Sequence, residues 1–404
     1  MAVNPEPLGA LTPVGGVSLS TAAAGIRYKG RDDLLLIQLA EGTTGAAVFT
    51  RNAFFAAPVG ISRQRFRSTP QVRAVLVNSG NANAGTGSAG EQAALQCSTA
   101  LAQALAVDEQ QLWLASTGVI GECLPATKVI SALPDLVSGL QADAWQHAAK
   151  AIMTTDQTAK GLSRQIEVDG CQITVTGIAK GAGMIRPDMA TMLAFVATDA
   201  AVPAAVLQQM LERANAESFS CISVDGDTST NDCCYLFATG AAGNTALSDT
   251  ALQALEQAIT EVCIHLARSI VRDGEGATHV ADIQIEGARS AAEARQVADT
   301  IAHSPLVKTA MFAADPNWGR ILAAVGRSGL EDLDTAGIDI WLDDVRILQS
   351  GEPDPDYRDD MGKAVMQRPE YRIRVLLGRG NARAHLWTCD FGHDYVKINA
   401  EYRS

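Results

Sequence analysis

The residues best able to do chemistry lie near the middle of the chain, where a glycine-rich loop runs into an apolar strand. The loop reads KGAGMIRPDM over residues 180–189, and the sequence continues ATMLAFVAT through Thr191. A threonine at such a junction could hold its hydroxyl against the preceding carbonyl and shift the acyl group from nitrogen to oxygen. Hydrolysis of the ester would free the Thr191 amine, whose ordinary pKa of about 7.7 to 8.0 suits a base for its own hydroxyl. From the residues alone, a β-branched side chain that begins a strand explains the same pattern.

A second glycine-rich segment, GTGSAG at residues 85–90, matches the G-x-G-x-x-G pattern of dinucleotide-binding loops. In those loops the first glycine follows a strand directly, and the pyrophosphate meets the start of a helix. Here the predicted strand ends near Asn78, with six residues before Gly85, and no acidic partner closes a second strand about 20 residues on. A flexible glycine-rich connection is therefore favoured, and a phosphate- or coenzyme-binding loop is the alternative.

Two polar groups resemble metal sites but lack the required residues. The segment 225–232 (DGDTSTND) is similar to a calcium loop, which needs glycine at its sixth position and glutamate at its twelfth; this chain has Thr230 and Leu236 there. Glu275 and His279 have the spacing of two ligands on one helix, but two ligands alone do not make a metal site, and the neighbouring glycines argue against a helix. We expect a polar turn and no bound metal. The sequence also has no G-x-S-x-G motif.

Composition and charge limit the classes of partner. The chain has 404 residues, of which 47% are hydrophobic and 19% charged, as is typical of a globular protein with a large core. A net charge of -13 without a Lys/Arg stripe argues against nucleic acid, because phosphate contacts need clustered basic side chains. No apolar run is long enough to cross a membrane, and no cationic, apolar leader opens the sequence. Eight cysteines without a CxxC pair fit reduced thiols, so we expect a cytoplasmic enzyme.

The hydrophobic pattern predicts many strands and several long helices. Predicted strands cover residues 34–39, 46–50, 73–78, 111–115, 166–168, 172–176, 192–198, 233–239, 281–286, 337–342, 371–377 and 384–389. Predicted helices cover residues 90–106, 144–153, 203–216, 249–272 and 290–303. Asp169-Gly170 predicts a tight hairpin turn. Because the two kinds of element mix without regular alternation, we expect a layered α/β (α+β) fold and not a simple Rossmann domain.

Seven motifs together resemble those of the ArgJ-type glutamate/ornithine N-acetyltransferase family, self-cleaving enzymes of arginine biosynthesis. The motifs are KGAGMIRPDMATMLAF at 180–195, NSGNANAGTG at 78–87, STGVIGE at 116–122, IMTTD at 152–156, RDGEGATH at 272–279, ADPNWGRIL at 314–322 and INAEYRS at 398–404. They keep the family's order over almost the whole chain. The resemblance implies an amino-terminal-nucleophile-like fold of the ArgJ and DmpA type.

The resemblance also implies roles for particular residues. Thr191 is the nucleophile, and the bond between Ala190 and Thr191 is cut. The products are an α fragment of residues 1–190 and a β fragment of residues 191–404, which stay together as a heterotetramer of two α and two β chains. Thr117 and Gly118 form the oxyanion hole. The implied substrate-binding residues are Thr154, Lys180, Thr191, Glu275, Asn399 and Ser404.

The implied reaction passes acetyl from N-acetylornithine to glutamate by a ping-pong mechanism through acetyl-Thr191. It needs no metal and no bound organic cofactor, and acetyl-CoA is left open as a co-substrate that would also make the chain an N-acetylglutamate synthase. To these implied roles we add two hypotheses: Lys180 pairs with the substrate α-carboxylate, and Glu275 meets the ornithine amine. The chain departs from the common family pattern at Ala182, Arg186 and Asp188, all upstream of the predicted cut, so these changes bear on the cleavage rate.

Two other functions stay open. An amino-terminal-nucleophile aminopeptidase or amidase would share the cut and the oxyanion hole but would pass the acyl group to water. A nucleotide-binding protein that uses residues 85–90 would not cleave itself. In each case we expect small-molecule ligands, with neither nucleic acid nor membrane as a partner.

Overall fold

A computed structural model describes residues 2–5, 7–186, 192–244 and 246–401 of the chain. The strands are β1 (Val17–Ala22), β2 (Leu34–Leu39), β3 (Thr44–Phe49), β4 (Ala74–Asn81), β5 (Leu112–Val119), β6 (Lys160–Val168), β7 (Cys171–Lys180), β8 (Leu193–Thr198), β9 (Ile222–Ser223), β10 (Cys233–Ala238), β11 (Val280–Ala288), β12 (Asp339–Leu342), β13 (Val345–Gln349), β14 (Glu352–Pro353), β15 (Glu370–Leu376) and β16 (Ala382–Cys389). The helices are α1 (Ala57–Ser68), α2 (Gly87–Leu105), α3 (Ala126–Ser138), α4 (Trp145–Ala151), α5 (Ala204–Glu217), α6 (Asp249–Arg272), α7 (Ala291–Ala302), α8 (Pro305–Phe312), α9 (Trp318–Gly326), α10 (Asp359–Met366) and α11 (His393–Ala400).

The strands form three sheets. The first has the order β1-β2-β4-β5, the second β3-β10-β8-β7-β6, and the third β14-β13-β12-β15-β11-β16-β9. Parallel neighbours are joined by helical crossovers: α2 lies between β4 and β5, and α5 lies between β8 and β10. Such crossovers are what parallel pairs require.

The first two sheets pack face to face because their strands are apolar on both faces. In β5, Trp113 contributes to the core between the sheets, whereas Leu112 and Leu114 pack on the opposite side. In β10, Tyr235 joins Trp113 in the inner core, with ring centroids 5.0 Å apart, and Leu236 faces outward. This alternation follows from the two-residue repeat of a strand.

Helices cover the outer faces of these two sheets. Buried residues of α2 and α3 cover the first sheet, and buried residues of α5 and α6 cover the second. The result is a helix–sheet–sheet–helix arrangement, with the third sheet forming its own core with α7 and α9. The predicted layered α/β (α+β) class is confirmed.

Several predicted elements match the structure closely. Helix α6 has the predicted bounds, and the Asp169-Gly170 turn joins β6 to β7 with both residues at positive φ. Strand β5 runs further than the predicted 111–115, because it continues through Thr117 and Gly118. The predicted helices do not include α1, α3, α8, α9, α10 and α11, and the predicted strands do not include β1, β9, β13 and β14.

The predicted cut would fall in the connection between β7 and β8. These strands are antiparallel neighbours, and Lys180 at the end of β7 pairs with Leu193 at the start of β8. Residues 187–191, with the predicted cleavage bond, lie outside the described residues. All strands of the first sheet precede residue 190 and all those of the third follow it, while the second sheet contains strands from both sides.

Candidate active site

The predicted oxyanion residues lie at the end of β5, where it pairs in parallel with β4. Thr117 is opposite Ser79 and Gly118 is opposite Gly80, and the register shifts at the next residue. Gly118 has φ of +135°, and a Cβ there would lie only 2.2 Å from the Gly80 carbonyl carbon. Only glycine fits this position. A hydroxyl and a backbone N–H are thus adjacent on a strand end that cannot move easily.

Lys180 connects three of the predicted residues. Its side chain is buried, and its ammonium group donates hydrogen bonds to the hydroxyls of Thr117 and Thr154, each at 3.0 Å. Because the Thr117 oxygen accepts from Lys180, its own hydrogen is left to donate to another group. Burial lowers the pKa of Lys180, while Asp156 opposes that shift.

A buried ion network holds this part of the chain in place. Lys160 lies between two carboxylates, 2.8 Å from Asp156 and 2.6 Å from Asp273, and all three side chains are almost fully buried. Asp156 also accepts hydrogen bonds from the backbone N–H groups of Thr154 and Gly181, at 3.0 and 2.7 Å. The network therefore fixes the segments on both sides of the Lys180 ammonium.

The pKa values of this network follow from its charges. Burial alone would raise the pKa of Asp156, but the Lys160 and Lys180 ammonium groups outweigh it and lower the value. Burial raises the pKa of Asp273 despite the Lys160 charge. The pKa of Lys160 is raised because two carboxylates overcome its burial. Lys160 and Asp156 therefore both stay charged, because each buried charge is paired with a charge of the opposite sign.

Glu275 and Asn399 lie together on the other side of the site. Glu275 is 6% exposed and belongs to the loop between α6 and β11. The Asn399 amide, near the end of α11, donates a 2.8 Å hydrogen bond to its carboxylate. A Cβ on Gly183 would fall 2.5 Å from the Glu275 carboxylate, so that glycine permits the close approach.

Lys180 with its two threonine partners on one side, and the Glu275–Asn399 pair on the other, face one cavity of about 250 Å³. Its described lining residues are Thr117, Gly118, Val119, Ile120, Thr154, Thr155, Lys180, Gly183, Met184, Ser229, Asn231, Glu275 and Asn399. Six predicted site residues are thus brought together, although they come from positions as distant as 117 and 399. Ala190, Thr191 and Ser404 lie outside the described residues, so their predicted roles stay predictions. The cavity offers hydroxyls, a backbone N–H, a cation and an anion to one small molecule.

The ArgJ family model matches residues 18–404. The chain belongs to the ArgJ family. It is 54% identical to the arginine biosynthesis bifunctional protein ArgJ of Methylococcus capsulatus, over 98% of this chain and 97% of that protein. This membership confirms the family predicted from the motifs.

Solved structures of the family are also similar. The crystal structure of arginine biosynthesis bifunctional protein ArgJ from Bacillus halodurans is 40% identical, covers 52% of this chain and 98% of its own, and has a TM-score of 0.49. The Mycobacterium tuberculosis ornithine acetyltransferase complexed with ornithine is 33% identical, covers 46% of this chain and 95% of its own, and has a TM-score of 0.39.

A polar segment of this ArgJ-family chain contributes more to the site than the sequence indicated. Residues 225–232 form the expected turn before β10, and no group of three possible metal ligands occurs among the described residues. Asp225 accepts hydrogen bonds from the Met184 and Ile185 backbone N–H groups. Asn231 donates to the carbonyls of Ala82 and Ser116, at 2.7 and 2.8 Å. The segment therefore ties the glycine-rich loop to the oxyanion strands.

One signal could have identified this segment. Six polar residues, 227–232 (DTSTND), directly precede an apolar strand, and polar residues there must find partners when buried. Lys180 gives a similar signal, since it is a charged residue that ends the uncharged run ITVTGIA of β7.

The alternative based on residues 85–90 is not supported by the packing in this ArgJ-family structure. Strand β4 ends at Asn81, and the buried Asn83 side chain donates a 2.8 Å hydrogen bond to the Gly90 carbonyl. A Cβ on Gly90 would lie 1.9 Å from the Thr86 hydroxyl oxygen. The connection was expected to be flexible, and this is wrong: its side chains fold it into a tight link between β4 and α2.

A wider groove of about 1000 Å³ lies apart from the predicted residues. Two of the arginines that line it have partners within the protein: Arg63 donates to the Thr50 carbonyl at 2.7 Å, and Arg295 pairs with Asp299 at 2.9 Å. Size alone does not make it the active site, because the convergent titratable and hydroxyl groups lie in the smaller cavity. No described helix is long and apolar enough to cross a membrane.

Proposed function

We propose that this chain is a glutamate/ornithine N-acetyltransferase of arginine biosynthesis that carries the acetyl group on Thr191. Membership of the ArgJ family gives the class of reaction. The observation that best supports the proposed site is the contact of Lys180 with both Thr117 and Thr154, in a cavity that also holds Glu275 and Asn399.

In the first step, the chain cuts itself. The Thr191 hydroxyl adds to the Ala190 carbonyl, the bond to the Thr191 nitrogen breaks, and that nitrogen takes a proton. Water then hydrolyses the ester, leaving an Ala190 carboxylate and a free Thr191 amine and hydroxyl. The fragments 1–190 and 191–404 stay together, because β7 and β8 on either side of the cut pair within one sheet.

In the second step, the new amine takes the hydroxyl proton of Thr191 as the oxygen attacks the acetyl carbonyl of N-acetylornithine. The negative oxygen that develops accepts hydrogen bonds from the Thr117 hydroxyl and the Gly118 N–H, as in other oxyanion holes. Collapse releases ornithine, whose nitrogen takes the proton, and leaves acetyl-Thr191. The glutamate amine then attacks this ester, and N-acetylglutamate leaves as Thr191 regains its proton.

The proposed substrate contacts follow from charge. The Lys180 ammonium would also bind the α-carboxylate, and the buried Glu275 carboxylate would bind the ornithine side-chain amine. Asn399 would orient Glu275 through their 2.8 Å hydrogen bond, and Ser404 would complete the site from the tail.

Because Thr191 carries the acetyl group, the proposed reaction needs neither a metal nor a bound organic cofactor. Acetyl-CoA as a second donor would make the enzyme an N-acetylglutamate synthase as well. We further propose a cytoplasmic heterotetramer of two α and two β fragments.

Product analysis tests this function. Purified protein is incubated with N-acetylornithine, with and without glutamate, and a third sample receives acetyl-CoA and glutamate. We expect N-acetylglutamate and ornithine in equal amounts only when glutamate is present. Release of acetate at the same rate without glutamate would identify an amidase instead. N-acetylglutamate from acetyl-CoA would add the second donor.

A further inference from the structure

Asp232 is a buried carboxyl group next to the predicted cleavage site. It is 0% exposed and immediately precedes β10. Its Oδ1 atom accepts a 3.0 Å hydrogen bond from the Met192 backbone N–H. The backbone is held as well, since Thr50 N–H donates to the Asp232 carbonyl at 2.9 Å and Cys233 N–H donates to the Met192 carbonyl at 3.2 Å. Asp232 therefore has one fixed position relative to Met192.

The second oxygen of the Asp232 carboxyl differs from the first in its hydrogen bonding. Oδ2 of Asp232 is shielded from solvent and makes no hydrogen bond of normal geometry among the described residues, although the Ser229 hydroxyl lies near this carboxyl. A buried polar atom without a partner is unfavourable, so each such atom in a native protein needs an explanation, and a catalytic role is one. Met192 directly follows Thr191 in the chain, so Asp232 binds the backbone of the residue next to the predicted nucleophile.

We propose that Asp232 is the general acid of self-cleavage, giving a proton to the Thr191 nitrogen as the bond to Ala190 breaks. This inference rests on the proposed function, because it assumes that the cut occurs there. The Thr191 hydroxyl gives its proton to water as its oxygen adds to the Ala190 carbonyl. The proton of the Asp232 carboxyl then moves to the leaving nitrogen, which becomes the free amine. When water hydrolyses the ester, the resulting proton returns to the Asp232 carboxylate. Peptide and water are consumed, carboxyl and amine are formed, and Asp232 is regenerated.

Burial favours the protonated form of Asp232 at neutral pH, where a solvated aspartate is ionised. Burial raises its pKa well above the ordinary value of about 3.9. The groups that oppose this shift are the Met192 N–H from the start of β8, the Lys180 ammonium from β7 and the Ser229 hydroxyl from the preceding turn. A solvated aspartate would have no proton to give at this pH, so burial is what makes the role available.

A purely structural role predicts different behaviour. If Asp232 only accepts from Met192 N–H, then Asp232→Asn keeps the accepting oxygen and the cut proceeds. If it donates a proton, Asp232→Asn blocks the cut while Asp232→Glu retains some of it. Asp199→Asn is a matched control. Asp199 also accepts a backbone N–H, from Thr174 at 2.8 Å, and burial also raises its pKa, but it follows the far end of β8.

The test follows freshly synthesised precursor from cell-free translation, with the cut fraction measured over time by gel and by intact mass. We expect Asp232→Asn to cut at least about 100-fold more slowly than wild type, the usual contribution of a general acid, and Asp199→Asn to cut at the wild-type rate. The wild-type rate should also fall as pH rises through the raised pKa of Asp232, because only the protonated form donates.

Thermal unfolding shows whether each variant is folded. A folded Asp232→Asn that cuts within about twofold of wild type would overturn the role of Asp232 while leaving the proposed function intact. Should Asp232→Asn not fold, a folded Asp232→Glu that fails to cut would overturn it instead. Failure of wild type itself to cut would count against the proposed function.

Discussion

The two walls of the active-site cavity are built in different ways. One wall consists of Thr117, Gly118 and Lys180, which lie on the ends of β5 and β7 and are held by sheet pairing and the buried ion network. The other consists of Glu275, on a loop, and Asn399, on the eight-residue helix α11, none of whose residues is buried. The strand wall is fixed by backbone, whereas the helix wall is held largely by side-chain contacts.

Under the proposed function, this difference would separate catalysis on the strand wall from substrate recognition on the helix wall. An oxyanion hole works only when its donors are in place before charge develops, and the strand wall provides that rigidity. A site that accepts ornithine in one half-reaction and glutamate in the other must accommodate two side chains of opposite charge. The helix wall, with its Glu275–Asn399 pair, is the part able to adjust.

The largest effect should come from breaking the ion network behind the strand wall. Asp156→Ala removes a carboxylate from Lys160 and the acceptor for the Thr154 and Gly181 N–H groups. Removing one partner of a buried pair costs about 3 to 5 kcal/mol, so we expect a large fall in the free energy of unfolding, measured by urea denaturation. Asp360→Ala is the control, because its ion pair with Arg358 is mostly exposed and worth about 0 to 1 kcal/mol. Equal losses in both variants would show that the network is not what fixes this wall.

The next effect tests the oxyanion donors directly. Thr117→Ala deletes the hydroxyl and should reduce turnover roughly 100- to 1000-fold, equivalent to about 2.7 to 4 kcal/mol. Thr117→Ser retains the hydroxyl and should recover most of the activity. Turnover of Thr117→Ala within about twofold of wild type would mean that Thr117 is not a donor.

A substitution in the helix wall should have a smaller effect, and this effect should appear in substrate binding more than in turnover. Asn399→Ala removes the amide that donates to Glu275, a hydrogen bond to a charged group worth about 1.5 to 3 kcal/mol. We expect KM for N-acetylornithine to rise while kcat and the melting temperature change little. Val396→Ala, an exposed position of the same helix, should leave KM unchanged.

Deletion of residues 399–404 should abolish transfer but leave the cut intact, and wild-type transfer by that truncated enzyme would contradict a role for the tail.

The stability of the fold should depend on pH through His303, which lies behind the connection between β7 and β8. The His303 ring contacts the Ser223 hydroxyl, which in turn donates to the Ile185 carbonyl. Burial lowers the pKa of His303 to about 4, below the value of about 6.5 expected when unfolded. Between these values the unfolded chain binds a proton that the folded chain does not, so stability falls as pH drops, by on the order of 2 kcal/mol. His303→Gln should flatten the melting temperature between pH 7 and pH 5, and an unchanged slope would exclude His303 as the cause.

The difference between contacts that are local along the chain and contacts between distant residues explains which features the sequence could predict. Helix α6 and the β6–β7 hairpin follow from apolar spacing and turn residues, which act within a few positions along the chain. Helix α3 was missed because Pro134 lies inside it, where proline normally breaks helices. Helix α11 was missed because it is short and none of its residues is fully buried.

The site itself was predicted by resemblance and not by spacing. No local pattern brings Lys180 to Thr117, which lies 63 positions earlier, or Asn399 to Glu275. Those contacts depend on how β5 and β7 sit in facing sheets and on where α11 docks. The ion network was missed for the same reason, since Lys160 and Asp273 are 113 positions apart.

The central claim is that the chain cuts itself before Thr191 and uses the new terminus as nucleophile. Intact mass and amino-terminal sequencing of the purified protein test it most directly. We expect two fragments, residues 1–190 and residues 191–404, with the second beginning Thr-Met-Leu, and we expect Thr191→Ala to remain a single chain without transfer activity. A single uncut wild-type chain that transfers acetyl at full rate would contradict the mechanism.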